Sequence, residues 1–277
     1  MREGLQAGAD LDFTVVWHWL LAYGIAIARP MAMLSLNPVF TRANLTGLFR
    51  GAVASALALP IVPLIAAALP REGLGPVALL LLTLKEAVIG ATLGLLLGAP
   101  FWALDVAGDV MDAQRGATQG RLNDPAGFAD VSISGTMLIV SGVVLFVMTG
   151  GLETLTSLLY DSWTLWPPLG ALPQLNDRTP LLLLGVLDRI TRQGLLIAVP
   201  VVFAMLLADA ALMVLARIVA GMRIDDLALS VRNIVFLIFM PLYVLFLLTY
   251  QRQDFAGMPH LFELLSTSVG GPGIPPR

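Results

Sequence analysis

The sequence predicts an all-α integral membrane protein built on about six long apolar helices. Hydrophobic residues make up 57% of the 277-residue chain and charged residues 13%, against roughly 45–50% and about 25% in soluble domains. Mean hydropathy is +0.85. Apolar runs of about 20 residues, enough to cross a ~30 Å hydrocarbon core as helices, recur along the chain, and no β-barrel alternation accompanies them.

The runs lie near 13–36, 51–70, 77–103, 132–159, 181–216 and 231–250. The first follows MREGLQAGADLD, which sets Arg2 against three acids. That is a poor lead-in for a cleaved signal, so the first helix is expected to remain. Arg29-Pro30 should end or kink it, because proline cannot continue the hydrogen-bond ladder. His18, between Trp17 and Trp19, reads as an interface residue, since no second ligand is near in sequence.

The third run carries Gly90, Gly94 and Gly98, a smooth stripe that lets another helix approach closely. The same run holds Lys85 and Glu86. Two readings stay open for them: a helix that begins near Lys85 at the interface, or a functional pair inside the membrane. The fifth run is too long for one simple span and divides on paper into a short amphipathic helix (181–193) and a span (194–216). Asp209 is its clearest intramembrane acid. Arg217 lies roughly 12 Å further along the helix, so the two do not pair directly. Hydrogen bonding to another helix suits Asp209 better than a proton relay. Between the fourth and fifth runs, WTLWPPLGALPQLNDRTP reads as an interfacial loop, with Trp163 and Trp166 suited to the headgroup layer. Residues 251–277 read as a loose tail.

The most polar stretch is 105–130, DVAGDVMDAQRGATQGRLNDPAGFAD. As a helix it places Asp105, Asp109 and Asp112 at i, i+4 and i+7, within roughly 60° on one face. Arg115 follows one turn on, and Gly116, Gly120, Asp124, Pro125 and Gly127 break the helix. Such charges need water, partners or a pore.

Other chemistries find little footing. There are no cysteines and two histidines, and the net charge is −3. A thiolate metal site is excluded, no metal or cofactor is expected, and nucleic acid is an unsuitable partner. The Asp105/Asp109/Asp112 stripe, with Asp209, leaves a transporter or metal-dependent membrane enzyme as the alternative. Membrane CDP-alcohol phosphotransferases use spaced aspartates, but their pattern places Gly directly after one Asp and keeps Ala-Arg together. Here Asp112-Ala113-Gln114-Arg115 breaks both rules. No P-loop, HExxH or GxSxG motif occurs, so no catalytic residue is assigned.

The stretch KEAVIGATLGLLLGAPFWALDVAGDVMDAQRGATQGRLNDPAGFADVSISG resembles the T component of the type III secretion export apparatus, the SctT/FliR family. The matching positions are Glu86, Gly90, Gly94, Phe101, Ala107-Gly108-Asp109, Asp112, Gln114, Gly116 and Asp124-Pro125. Pro200, Asp209, Arg217, Ser230 and Arg232 continue the likeness, which covers roughly 15–250. Where the family often has Pro-Gln-Leu-Asn before the last helix, this chain has Gly221-Met222-Arg223-Ile224-Asp225-Asp226. Gln114-Arg115-Gly116-Ala117-Thr118 and Pro100-Phe101-Trp102 look more like injectisome members than flagellar ones.

The resemblance implies a non-enzymatic subunit of a helical export gate in the bacterial inner membrane. Its partners would be the R and S subunits, the U and V components, membrane lipid, and unfolded secreted proteins in transit. The fold would join an R-like part (about 13–190) to an S-like helix hairpin (about 194–250), with kinked helices. Residues 112–128 would match the loop that plugs the closed pore.

Lys and Arg in the loops bear on orientation. One set of loops holds Arg42, Arg50, Arg115, Arg121, Arg217, Arg223 and Arg232, and the other holds Arg71 and Arg178, with Arg2 and Arg252 near the ends. By the positive-inside rule the 105–130 stretch is expected on the cytoplasmic side.

Overall fold

The computed structural model describes residues 2–42, 47–70, 74–116, 132–170, 178–218, 224–260 and 262–263. Among the described residues every regular element is a helix. They are α1 (Arg2–Leu36), α2 (Pro38–Arg42), α3 (Gly47–Ala58), α4 (Val62–Ala68), α5 (Pro76–Gln114), α6 (Ile133–Met148), α7 (Gly151–Leu165), α8 (Arg178–Ile218) and α9 (Ile224–Ala256). Four spans are long and apolar enough to cross a membrane: Thr14–Leu36, Pro76–Gln114, Leu184–Ile218 and Leu227–Val244. Two bent pairs pass the same test together, each as a broken span or a re-entrant loop: α3 with α4, at 62°, and α6 with α7, at 77°. The six apolar runs are therefore all present, two of them folded on themselves. This is an all-α, multi-pass integral membrane protein.

Several boundaries differ from the sequence expectation. Helix α1 does not end at Arg29-Pro30 but continues to Leu36, because a proline removes only one ladder bond and packing can hold the helix through it. Helix α5 starts at Pro76, well before Lys85, with proline at the first helical position, where its missing N–H is no loss. The expected break near Gln193-Gly194 is absent, and α8 is one helix of 41 residues. Gly194 serves contact instead: a Cβ there would sit 2.7 Å from Val106 Cβ and 2.9 Å from the Ala103 carbonyl. Trp163 and Trp166 are buried, although the sequence placed them at a headgroup layer. Helix α9 runs past Gln251 to Ala256, and Phe255, Met258 and Phe262 are buried.

The chain divides into two compact units. The first contains residues 1–98, 152–181 and 258–277. Its core packs Ala22, Ile25 and Ala26 of α1 against Ala58, Val62 and Ile65. Small residues on α1 allow this closeness. Polar side chains in the unit bond to helix backbones and to one another: His18 Nε2 lies 2.8 Å from the Ala66 carbonyl, Tyr160 donates to Leu57, and Tyr23 and Ser55 hydroxyls are 2.5 Å apart. The glycine stripe lies here too, and its partner is α1 of the same chain. A Cβ on Gly90 would collide with the Arg29 backbone, and one on Gly94 would sit 2.6 Å from the Met33 carbonyl.

The second unit contains residues 99–151 and 182–257. Leu104, Ala107 and Met111 of α5 pack with Leu138 and Ile139 of α6 and with Val201 and Met205 of α8. Phe101, Phe146 and Phe255 form a ring cluster with centroids 5.1 to 5.3 Å apart. Gly108 of α5 meets Gly135 of α6 backbone to backbone. This crossing tolerates no side chain at Gly108.

Gly94→Leu is expected to separate α1 from α5 and lower thermal stability in detergent, since overpacking costs about 1–3 kcal/mol or more. Gly24→Leu is the control, because nothing lies within 4 Å of a Cβ there. Equal melting temperatures for the two variants would remove the stripe from the packing account.

Candidate functional site

Two clusters of buried charge stand out, one in each unit. In the first unit Arg29 and Glu86 are completely buried. The guanidinium grips the carboxylate with two bonds, Nε to Oε2 at 2.8 Å and Nη2 to Oε1 at 3.0 Å. Its remaining donors reach the Ser162 hydroxyl at 2.9 Å and the Trp166 carbonyl at 2.8 Å. The Trp163 ring lies under it, 5.4 Å from centroid to Cζ. Lys85 is also buried, and its ammonium donates to the carbonyls of Pro167 (3.0 Å), Pro168 (2.6 Å) and Gly170 (3.2 Å). It lies 3.6 Å from Glu86 as well. Two cations thus share one carboxylate, and carbonyls just beyond α7 supply the remaining negative potential. Prolines suit that turn because they offer carbonyls without N–H groups that would repel the ammonium.

The second cluster surrounds the C-terminus of α5. Asp112 is 1% exposed. One of its oxygens accepts from Arg115 Nε at 2.8 Å and from the Ser134 hydroxyl. The other accepts from the Ser132 hydroxyl at 2.8 Å and the Ser134 N–H at 3.2 Å. Ser132 also caps α6 by accepting from the Gly135 N–H. On α8, Asp209 is paired by Arg232 of α9, whose Nε lies 2.7 and 2.9 Å from the two carboxylate oxygens. Arg232 also donates to the Gln114 carbonyl at 3.4 Å. Arg115 packs over the Phe236 ring at 4.6 Å.

The carboxylate stripe is therefore one helix in three environments. Asp105 is half-buried, with Oδ1 2.9 Å from where a Gly135 Cβ would be. Asp109 is exposed and Asp112 is buried. Gly116 ends the helix with φ +79°, a conformation that favours glycine. Gly98 is buried in α5 beside Gly90 and Gly94. Gly120, Asp124 and Pro125 lie outside the described residues, as does most of the 112–128 stretch.

Sequence reasoning found Glu86 and Asp209 but not their partners, Arg29 and Arg232. The signal was available for Arg29, because a lone arginine inside an apolar run needs a buried acid as much as Glu86 needs a base. No sequence signal marked Ser132, Ser134 or the prolyl carbonyls as partners.

Long apolar helices whose buried charges are paired within the chain define a polytopic membrane protein. Residues 20–258 match the family described as Bacterial export proteins, family 1, and the chain belongs to that family. It is 30% identical over 230 residues to the Surface presentation of antigens protein SpaR of Salmonella typhimurium, covering 82% of this chain and 84% of that one. It is 27% identical over 235 residues to Yop proteins translocation protein T of Yersinia pestis, covering 84% and 90%. The Flagellar biosynthetic protein FliR of Escherichia coli is 28% identical over 209 residues, covering 74% and 77%.

Arg29→Leu is expected to destabilise the protein modestly, because Lys85 still lies 3.6 Å from Glu86, and Glu86→Leu by ~3–5 kcal/mol, because it strands the buried Arg29 charge. The double variant should recover most of that loss. Denaturation in detergent micelles checks this, and additive losses in the double variant would mean that the two side chains act independently.

Proposed function

We propose that this chain is the T subunit of a type III protein export gate in the bacterial inner membrane, a structural, pore-forming component and not an enzyme. The family match over residues 20–258 carries the reading. The relatives named for translocation and for surface presentation favour the injectisome type. Surface chemistry supports a subunit role. The most apolar windows of α8 and α9 are only 28% and 6% buried within the chain, so lipid or partner helices must cover the rest. Those partners would be the R and S subunits, with the U and V components nearby, and unfolded secreted proteins would pass through the pore.

Within this reading residues 112–128 form the plug of the closed pore, with Asp109 exposed and Asp105 half-buried on the helix that leads to it. Gly-rich backbone at membrane depth needs protein or water beside it, and a pore supplies both.

Tagged chain solubilised from its own cells should co-purify with two other small polytopic proteins, and deleting its gene should abolish secretion of the system's substrates. A chain that isolates alone, with secretion intact in the deletion strain, would refute the assignment. Deleting residues 117–123 is expected to leave assembly intact while raising inner-membrane conductance to ions. An assembled deletion complex as tight as wild type would show that this loop is not the seal.

A further inference from the structure

We propose that a groove on the first half of α8 is a headgroup site for a phospholipid bearing a primary amine, with Arg192 on the phosphate and Asp188 on the ammonium, independently of the export reading above.

The groove is lined by Asp188, Thr191, Arg192, Leu195, Leu196 and Val199, and its volume is about 360 Å³. These positions recur at i, i+3, i+4, i+7, i+8 and i+11, which puts them on one face of the helix. All of them are exposed. The two ends of the groove differ in chemistry. Asp188 and Arg192 stand one turn apart at one end, and Leu195, Leu196 and Val199 form the other.

Asp188 and Arg192 have the spacing and order that favour an ion pair along a helix. Yet they do not pair, and among the described residues neither has another hydrogen-bond or ion-pair partner. The Thr191 hydroxyl is committed to the Leu187 carbonyl at 3.1 Å. Arg189 lies ~100° round the helix from Asp188; it is engaged in another contact and does not line the groove. The groove therefore presents one free anion and one free cation.

Their order selects the ligand. An aminophospholipid runs from acyl chains to phosphate to ammonium. Toward its polar end the groove runs from Val199, Leu196 and Leu195 to Arg192 and then to Asp188. An oxygen and two carbons separate the phosphorus from the nitrogen, and a helical rise of ~6 Å separates the two charged residues. A guanidinium offers forked donors to phosphate oxygens. A carboxylate accepts N–H bonds from a primary ammonium, and a quaternary ammonium has none to give.

Depth agrees with this assignment. Arg192 and the exposed Arg217 lie ~38 Å apart along α8. A hydrocarbon core of about 30 Å, or about 40–45 Å with the headgroup regions, sets both arginines in headgroup layers and residues 195–199 beside acyl chains. A protein helix laid over the groove would instead take both charges out of water.

The full-length chain, in the complex it isolates with, is delipidated in detergent. It is then offered phosphatidylethanolamine, phosphatidylcholine or phosphatidylglycerol with identical acyl chains, and retained lipid is counted by native mass spectrometry. Phosphatidylethanolamine should be retained severalfold over the other two. Arg192→Gln should abolish that excess. Asp188→Asn should keep binding but equalise phosphatidylethanolamine and phosphatidylcholine. Arg217→Gln, which changes an arginine outside the groove, should match wild type. No preference in wild type, or an unchanged preference in Arg192→Gln or Asp188→Asn, overturns the site. Equal losses in Arg192→Gln and Arg217→Gln also overturn it, because charge at headgroup depth would then suffice. A photoreactive residue at Leu196 in cells should give a lipid adduct. A protein adduct there would make a neighbouring subunit the occupant and refute the proposal.

Discussion

Charge inside an apolar helix bundle is the constraint on which the rest depends. An unpaired ion in hydrocarbon costs several kcal/mol at least, so each buried ion dictates where another group must stand. Arg29 and Glu86 show the consequence, since both are fully buried and the bidentate grip leaves little freedom in how α1 faces α5. Gly90 and Gly94 permit that approach by letting the α5 backbone rest against Arg29 and Met33. Ion pair and glycine stripe are thus two halves of one contact: the glycines let the helices come close, and the charges make one register favourable. Lys85 extends the same network to the prolyl turn after α7.

The second unit applies the rule at the end of a helix. Asp112 is satisfied by the start of α6, and Asp209 by Arg232 of α9. Gly108 and Gly135 let α5 and α6 touch beneath the first contact. Close backbone approach and a charge-assisted bond again occur side by side. Hydrogen bonds to charged groups contribute about 1.5–3 kcal/mol each, roughly twice a neutral one, so a few of them can specify a helix pairing that lipid-like apolar surfaces cannot. For a protein whose relatives are named for translocation and secretion, such internal pairing leaves the outer apolar faces of α8 and α9 for lipid or neighbouring subunits.

Composition and apolar run length determined the class of fold and the six apolar runs, because the bilayer sets a length that any crossing helix must meet. Residue pattern also marked Glu86, Asp209, the glycine stripe and the carboxylate stripe as special, since each breaks the rule of its surroundings. Only the tertiary structure decided what they pair with. Arg29 lies 57 residues from Glu86, and Arg232 lies 23 from Asp209, and no periodicity encodes a contact between helices so far apart in the chain. It also decided that α8 is unbroken and that α5 begins at Pro76. Local breakers set only a cost of one or two bonds, and packing of neighbouring helices outweighs it. The three aspartates of α5 share a face by sequence alone, yet their burial differs, because solvent access depends on which helix end is packed against each one.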